Sequence, residues 1–181
     1  MKKKIIVTAF SNLTTDQRIE KVCKTLHDNG YVIELIGCNY GCNQEVKREY
    51  TVEKINLISK SLKTAYFEFN WKLYQKLLNK SFENTVLLTN DLDTLLPNFL
   101  LSKKKKIPLV FDSHEIFTEM PAIQGKISQK IWRFAENKML PHIEFMMTES
   151  ESYAKWFHEK YNVTPVVVRN IPKKLPLQEK T

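Results

Sequence analysis

The chain has 181 residues, 43% of them hydrophobic and 27% charged, and carries a formal net charge of +8. This length suits one domain with its own apolar core and is too short for two large ones, and the composition is typical of a soluble globular protein. The longest apolar stretches fall well short of the roughly 20 residues that a membrane-spanning helix needs, which excludes an integral membrane protein.

The first ten residues, MKKKIIVTAF, contain a short apolar run after a basic start. A signal peptide needs a longer apolar segment followed by small residues at a cleavage site, so we interpret residues 4–9 as a first buried strand. The protein is therefore expected in the cytoplasm.

The next segments predict a helix and two strands. A helix is indicated between Thr15 and Gly30 because apolar residues recur there at helical spacing, with Thr15 as the candidate cap and Gly30 just past the last turn. Residues 31–37, YVIELIG, form the following strand, and a loop leads to a short strand over residues 51–57.

Residues 61–80 predict an amphipathic helix. Four apolar residues share one of its faces: Tyr66, Phe69, Leu73 and Leu77. Phe67 and Trp71 widen this apolar sector. We expect the helix to cover one side of a sheet, as amphipathic surface helices normally do, and the alternative is that its aromatic and basic side chains enter a membrane interface.

Strands and helices alternate over the rest of the chain. Strands are predicted over residues 85–91, 107–113, 143–150 and 164–170, and helices over 92–106, 126–140 and 151–162. Apolar strands that alternate with helices indicate a parallel sheet covered on both sides. The predicted fold is a doubly wound, mostly parallel, Rossmann-like α/β domain over residues 1–171, with residues 172–181 as a linker.

The positive charge raises the question of a nucleic-acid partner, because lysine-rich faces gain affinity for phosphates by counterion release. The basic residues are scattered and match no nucleic-acid-binding motif, so we expect no nucleic acid. The run Lys103–Lys106 closes a predicted helix, where cations suit the helix dipole. We interpret the run as a solvated helix end, with a phosphate or anionic-lipid patch as the alternative.

The three cysteines, Cys23, Cys38 and Cys42, are an odd number in a chain without an export signal, which argues against a disulfide framework. Cys38 and Cys42 are too few for a structural zinc site, which takes four ligands. We expect reduced thiols and no metal.

Polar segments follow the ends of five predicted strands, namely SNLTTDQR, TNDLD, DSHE, TESES and RN. In open parallel sheets, ligands bind beyond the carboxyl ends of the strands, where the winding reverses, so these segments are expected to share one edge. No glycine-rich dinucleotide motif follows the first strand and no P-loop occurs. Their absence argues against nicotinamide or flavin enzymes and against the common ATPases and GTPases.

The segment VFDSHEIFTEMP, residues 110–121, concentrates ionisable groups at one of these strand ends. A neutral imidazole can accept or donate a proton near neutral pH, and Asp112 or Glu115 would then set the tautomer of His114. The alternative is that His114 is a polar strand-end residue bonded to the backbone.

Five segments, taken in order, resemble the N-terminal domain of GT-B glycosyltransferases, and within them the family 4 type. They are DQRIEKV to GYVIELIG (16–37), NDLD (90–93), VFDSHEIFTEMP (110–121), AENK (135–138) and VVVRNIP (166–172). The resemblance implies two Rossmann-like domains facing across a cleft. The first mainly holds the acceptor, and the second holds the nucleotide-sugar donor and carries the E-x7-E signature.

The resemblance further implies a retaining hexosyltransferase of bacterial polysaccharide biosynthesis, with a glycan or lipid-linked acceptor. It uses no catalytic metal and no cofactor, since the nucleotide-sugar is a substrate. The present chain would be the acceptor-side half, inactive without its C-terminal domain. An anionic membrane is a further expected partner, contacted peripherally at its inner face.

His114 and Asp91 match the catalytic pair of the family's site. Nine others match substrate-binding positions: Asn12, Asp16, Arg18, Asp93, Asp112, Glu115, Glu119, Arg169 and Asn170. Asn12 lies in a loop where many relatives have a glycine pair, which puts the donor contact there in doubt.

Structural alternatives stand beside several of these roles. Asp91 could cap the following helix, Glu115 and Glu119 could begin one, and Asp16 and Arg18 could pair across the first helical turn. His27, His142 and His158 lie on or beside predicted helices and are interpreted as structural or solvated.

Two other functions compete with a transferase domain. The first is a non-catalytic module of the same fold that docks its basic surface on an acidic partner or membrane. The second is a small hydrolase or nucleotide-binding protein of flavodoxin-like topology that uses His114 with Asp112, and the absence of a serine or cysteine nucleophile motif argues against it.

Overall fold

The computed structural model describes residues 2–42 and 44–171, and the predicted linker over 172–181 lies outside them. Within the described residues, the strands are β1 (Lys4–Thr8), β2 (Val32–Cys38), β3 (Thr51–Ile55), β4 (Thr85–Asn90), β5 (Leu109–Ser113), β6 (Phe145–Thr148) and β7 (Val166–Val167). The helices are α1 (Gln17–Asp28), α2 (Leu62–Leu78), α3 (Leu92–Lys105), α4 (Ile127–Met139) and α5 (Glu151–Tyr161), with short 3-10 turns at Phe117–Glu119 and Leu140–His142.

The strands form one parallel sheet in the order β3-β2-β1-β4-β5-β6-β7. This order confirms the predicted doubly wound α/β fold. It differs from the flavodoxin-like order, in which β1 lies between β2 and β3, so the flavodoxin-like topology of the hydrolase alternative is wrong. The winding reverses between β1 and β4, which makes their carboxyl ends the expected place for a ligand.

Two apolar cores form, one on each face of the sheet. Residues such as Ile6, Leu87 and Phe111 point to the face covered by α2, α3, α4 and α5. Their neighbours along the strands, such as Val7 and Leu88, point to the face covered by α1. This alternation follows from the two-residue period of a strand, and it explains why the strands are apolar on both sides.

The first helix begins one residue later than the sequence suggests. The side chain of Asp16, not that of Thr15, caps α1 by accepting a hydrogen bond from the backbone N–H of Ile19 at 3.2 Å. Both residue types are good caps, so the choice between them depends on where the chain turns into the helix. Gly30 follows the helix with a φ of 88°, a conformation that suits glycine.

The predicted core face of α2 is confirmed, because Phe69, Leu73 and Leu77 are fully buried. The expectation that Phe67 and Trp71 widen this face is wrong, since their side chains are 76% and 67% exposed. Residues two positions apart on a helix differ in direction by roughly 200°, so Phe67 points away from the sheet when Phe69 points toward it.

The helix end at Lys103–Lys106 is exposed, and Lys106 closes it in a left-handed conformation with a φ of 54°. The last strand, β7, is much shorter than the predicted 164–170. None of the helices in residues 2–42 and 44–171 combines the length and the apolarity that crossing a membrane would require.

Candidate functional site

The ends of β4 and β5 bring Asp91 and His114 together. The backbone N–H of His114 donates to Asp91 Oδ1 at 2.9 Å, and His114 Nδ1 lies 3.3 Å from Asp91 Oδ2. The backbone N–H of Asp91 in turn donates to the carbonyl of Asp112 at 2.9 Å. The Asp91 carboxylate therefore accepts a hydrogen bond from the end of β5. It does not cap α3 through its side chain, contrary to the capping alternative.

Arg18 connects α1 to the same strand ends. Its Nη2 lies 2.6 Å from Asp112 Oδ1, and its Nε donates to the other carboxylate oxygen at 3.4 Å. Its Nη1 donates to the carbonyl of Val168 at 3.2 Å and lies 3.6 Å from Glu149 Oε2. We call Arg18, Asp91, Asp112 and His114 the rim cluster.

The charges of the rim cluster are set by mutual pairing. Burial alone would raise the pKa of Asp112, but His114 and Arg18 outweigh it, so this pKa lies below its ordinary value. Burial alone would lower the pKa of His114, but Asp112 and Asp91 outweigh it and raise the pKa. The two pKa shifts therefore favour an imidazolium held beside an ionised Asp112.

The two acids of the β4 end behave differently from Asp112. Burial raises the pKa of Asp91 to about 6, against the opposing pull of His114. Burial also raises the pKa of Asp93 well above its ordinary value, and the nearby charge of Asp91 adds to the shift. Asp91 thus changes protonation near neutral pH, whereas Asp93 favours the neutral acid.

The chemistry available to the imidazole of His114 is proton transfer or hydrogen-bond donation. Its Nε2 lies 3.4 Å from Asp112 Oδ2 but is buried and makes no hydrogen bond of ordinary geometry in the described part of the chain. The side chain is 17% exposed. Nε2 is therefore turned to Asp112, and a ligand at the strand ends would meet the exposed part of a ring that carboxylates hold on both sides.

The loop after β1 holds Asn12 in a local turn, where its Oδ1 accepts from the backbone N–H of Thr14 at 3.0 Å. The side chain of Leu13 in this loop is buried, and its φ is 65°. A Cβ on Gly37 would lie 2.5 Å from Leu13 Cγ, so β2 tolerates the loop only because residue 37 is glycine.

The expected pairing of Asp16 with Arg18 is wrong, since Asp16 caps α1 and Arg18 turns to Asp112. Glu115 is exposed. Glu119 lies 3.0 Å from Arg133 Nη2, within the 3-10 turn after β5. Glu119 is the last residue of that three-residue turn and Glu115 precedes it, so the turn does not confirm the alternative that these acids begin a helix.

Asn170 accepts from Lys21 Nζ at 2.9 Å, which ties the end of the described chain to α1, and Arg169 is exposed. Asp93 is buried in the first turn of α3, and its Oδ1 has no hydrogen-bond partner among the described residues. The predicted site residues thus divide into the converging rim cluster and a set outside it that is exposed, buried elsewhere or bonded to other partners.

Two features at the same edge were not singled out from the sequence. Glu149 joins the network of Arg18, and its position in TESES after a strand was the available signal. A row of ring contacts also runs along the edge: Tyr40 to Phe10, Phe10 to Tyr66, Tyr66 to Trp132 and Trp132 to Phe117, with centroids 4.5–5.6 Å apart. These rings are far apart in sequence, so no local pattern identifies the row.

Two clefts adjoin this edge. One, of about 410 Å³, lies at the ends of β2 and β3 and is lined by residues 39–41 and 57–60. The other, of about 380 Å³, is mostly apolar and lies between α1 and the sheet, with Arg18 and Asn170 among its lining residues. Arg18 is the member of the rim cluster that lines one of these clefts.

The structure contains one group of potential metal ligands within its described residues. Atoms of His27, Asp28 and Glu49 lie within 4.8 Å of one another. Lys24 Nζ lies 3.2 Å from Asp28 and 3.4 Å from Glu49, so a cation already occupies the space between the carboxylates. The group is also at the end of α1 remote from Arg18.

No protein-family model matches the chain, and no curated protein does. Solved structures do match. Sucrose-phosphate synthase from Thermosynechococcus elongatus has a TM-score of 0.71 at 10% identity, over 91% of this chain and 47% of that one. The apo structure of UGT2 from Phytolacca americana has a TM-score of 0.66 at 9% identity, over 94% of this chain and 52% of that one. The UDP-GlcNAc 2-epimerase of Methanocaldococcus jannaschii has a TM-score of 0.56 at 14% identity, over 93% and 45%.

What these proteins share with the chain is the fold. The chain spans about half the length of each of them. The described domain therefore has the architecture of one GT-B half, as the sequence resemblance implies.

Proposed function

We propose that the chain is the acceptor-binding N-terminal domain of a retaining glycosyltransferase of the family 4 type. The full protein would move a hexose from a nucleotide-sugar to a glycan or lipid-linked acceptor in bacterial polysaccharide biosynthesis. Residues 172–181 would lead to a C-terminal donor-binding domain, without which the chain is inert. Neither metal nor cofactor takes part.

The observation that carries this proposal is the convergence of the rim cluster at the reversal of the winding. His114 lies between Asp91 and Asp112, at 3.3 and 3.4 Å, and Arg18 neutralises Asp112 from the opposite side. In the proposed enzyme, the imidazole of His114 faces the transferred sugar, and Asp91 holds the ring. Asp91 supports this role because its backbone and side chain both bond to the β5 end.

The acceptor is assigned to the edge that bears the ring contacts and the cleft at the ends of β2 and β3. Tyr40 lines that cleft and continues through Phe10 to Tyr66. Aromatic faces provide apolar area for the C–H groups of a sugar ring, while the hydroxyls find the polar strand ends. The remaining candidates are proposed to bind or position substrates. They are Asn12, Asp16, Arg18, Asp93, Asp112, Glu115, Glu119, Arg169 and Asn170.

The test places the 181-residue chain in its complete reading frame and measures transfer from a panel of nucleotide-sugars. His114→Gln should lower kcat by about a hundredfold or more, the usual range for a proton-transferring or donating group. His142→Gln, at an exposed histidine, is the matched control and should keep wild-type turnover.

Two results would contradict the proposal. Turnover by the 181-residue chain alone would show that no second domain is needed. Equal kcat for His114→Gln and His142→Gln would remove His114 from the chemistry. We place the working enzyme in the cytoplasm, with peripheral contact to the inner face of the cell membrane.

A further inference from the structure

Helices α2, α3 and α4 lie side by side on one face of the sheet, and their outward side is unusually apolar. Eight large apolar side chains are exposed there: Leu62, Phe67, Trp71, Leu96, Leu100, Ile127, Ile131 and Phe134. We call this surface the outer helical face. Single exposed apolar residues are normal, but a group spread over three adjacent helices marks an interaction site.

Helix α4 carries apolar residues on its outward side, unlike an ordinary surface helix. Its buried residues are Gln129, Glu136 and Met139, whereas Ile127, Ile131 and Phe134 are exposed. The three apolar residues are spaced by four and three positions, so they form one stripe along the helix. Ile127, which is 78% exposed, begins this stripe at the carboxyl edge of the sheet. Core packing cannot account for a stripe that points into solvent.

The carboxylates of the three helices all point away from the outer helical face. These helices contain three acids in total, Glu68, Asp93 and Glu136. Glu68 accepts from the backbone N–H of Ser59 and pairs with Lys72 at 2.6 Å. The other two are buried.

The lysines, by contrast, surround the apolar stripe. Lys126, Lys130 and Lys138 are exposed along α4, and Lys138 Nζ lies 5.9 Å from the ring centre of Phe134. Lys63 precedes Phe67 by one turn of α2, and Lys103 follows Leu100 at the end of α3. The surface is therefore apolar and positively charged, with no acid facing outward from the three helices.

We propose that the outer helical face binds the surface of an anionic lipid bilayer, with the apolar side chains in the interface and the lysines on the lipid headgroups. A second copy of the chain would present the same positive charge, so self-association through this face is opposed by repulsion. Exposed Trp and Phe side chains beside lysines are the composition of interfacial helices. This inference specifies the membrane contact of the proposed function.

The experiment is flotation of the 181-residue chain with vesicles of phosphatidylglycerol and phosphatidylcholine in equal amounts, compared with vesicles of phosphatidylcholine alone. Wild type should float with the anionic vesicles at low salt and be released at high salt. Ile131→Ser/Phe134→Ser should weaken binding by about tenfold or more, because interfacial affinity scales with buried apolar area. Ile171→Ser/Phe145→Ser makes the same chemical change at exposed positions outside the face and should leave binding unchanged.

A second pair of variants tests whether the lysines of the outer helical face contribute to binding. Lys126→Gln/Lys130→Gln/Lys138→Gln should lower affinity for anionic vesicles by about a hundredfold at low salt, since each lysine near such a surface contributes roughly a tenfold factor or less. Lys3→Gln/Lys47→Gln/Lys155→Gln removes the same net charge from exposed positions elsewhere. Its effect should be less than tenfold.

Three outcomes would overturn the proposal. They are no flotation of wild type at low salt, equal losses in the face variants and their controls, and binding to soluble polyglutamate without binding to vesicles. The last result would indicate an acidic protein partner. Flotation is measured without turnover, so its failure would leave the transferase proposal standing, and a failed transfer assay would leave this surface standing.

Discussion

The end of β5 and the first turn of α3 each bury an aspartate, and the two side chains are in opposite states. Asp112 is fully buried between Arg18 and His114, and its pKa lies below the ordinary value. Asp93 is 9% exposed, and its Oδ1 has no hydrogen-bond partner among the described residues. The pKa of Asp93 lies well above the ordinary value. Burial disfavours charge at both positions, so the presence of a cationic partner decides which carboxylate is ionised.

The largest expected effect comes from removing a partner of Asp112. Arg18→Met should lower the free energy of unfolding by about 3–5 kcal/mol, because it removes one of the two cationic partners of a buried carboxylate. Urea denaturation monitored by circular dichroism measures this loss.

Arg48→Met is the matched control, since the Arg48 to Glu20 pair lies at 3.2 Å with a Glu20 side chain 45% exposed. Arg48→Met should lower the free energy of unfolding by about 1 kcal/mol or less. Similar losses in the two variants would contradict the view that Arg18 compensates a buried charge.

A smaller effect of opposite sign is expected at Asp93. Its raised pKa means that the folded state holds the proton more tightly than the unfolded state. The wild type therefore has the full contribution below the unfolded pKa and loses it as the pH rises through the folded pKa. Asp93→Asn removes this dependence and should gain about 1–2 kcal/mol relative to wild type between about pH 5 and about pH 7.

The comparison uses urea denaturation at each pH, with Asp28→Asn as the control at an aspartate whose side chain is 51% exposed. A constant difference between Asp93→Asn and wild type across this range would show that Asp93 is ionised in the fold.

The smallest expected effect concerns the imidazole that pairs with Asp112. The raised pKa of His114 stabilises the fold below the unfolded histidine pKa, and this contribution is lost as the pH rises through the folded pKa. His114→Gln should therefore be less stable than wild type by about 1 kcal/mol at acidic pH and approach it at alkaline pH. His158→Gln, at an exposed histidine, is the matched control.

The local pattern of the chain was sufficient for most of the fold. The helical spacing of Phe69, Leu73 and Leu77 identified the buried face of α2, and the position of His114 after an apolar run located a strand end. These predictions worked because helix and strand periods are properties of the backbone and recur in any compact context.

The sequence was insufficient where two local choices were equally good. Thr15 and Asp16 are both suitable caps, and only the approach of the chain to α1 selects Asp16. Phe67 and Trp71 each lie two positions from Phe69, so the helical period itself places them opposite the buried face, and their exposure corrects an error in applying that period.

By itself, the sequence determined the alternation of strands and helices, the parallel sheet and the polar composition of the strand ends. The tertiary structure alone decided which of those polar groups meet. Arg18 and Asp112 are 94 residues apart, and their contact exists because α1 packs over the sheet beside the end of β5. Short-range sterics specify an element, whereas the partner of a buried charge depends on how distant elements pack.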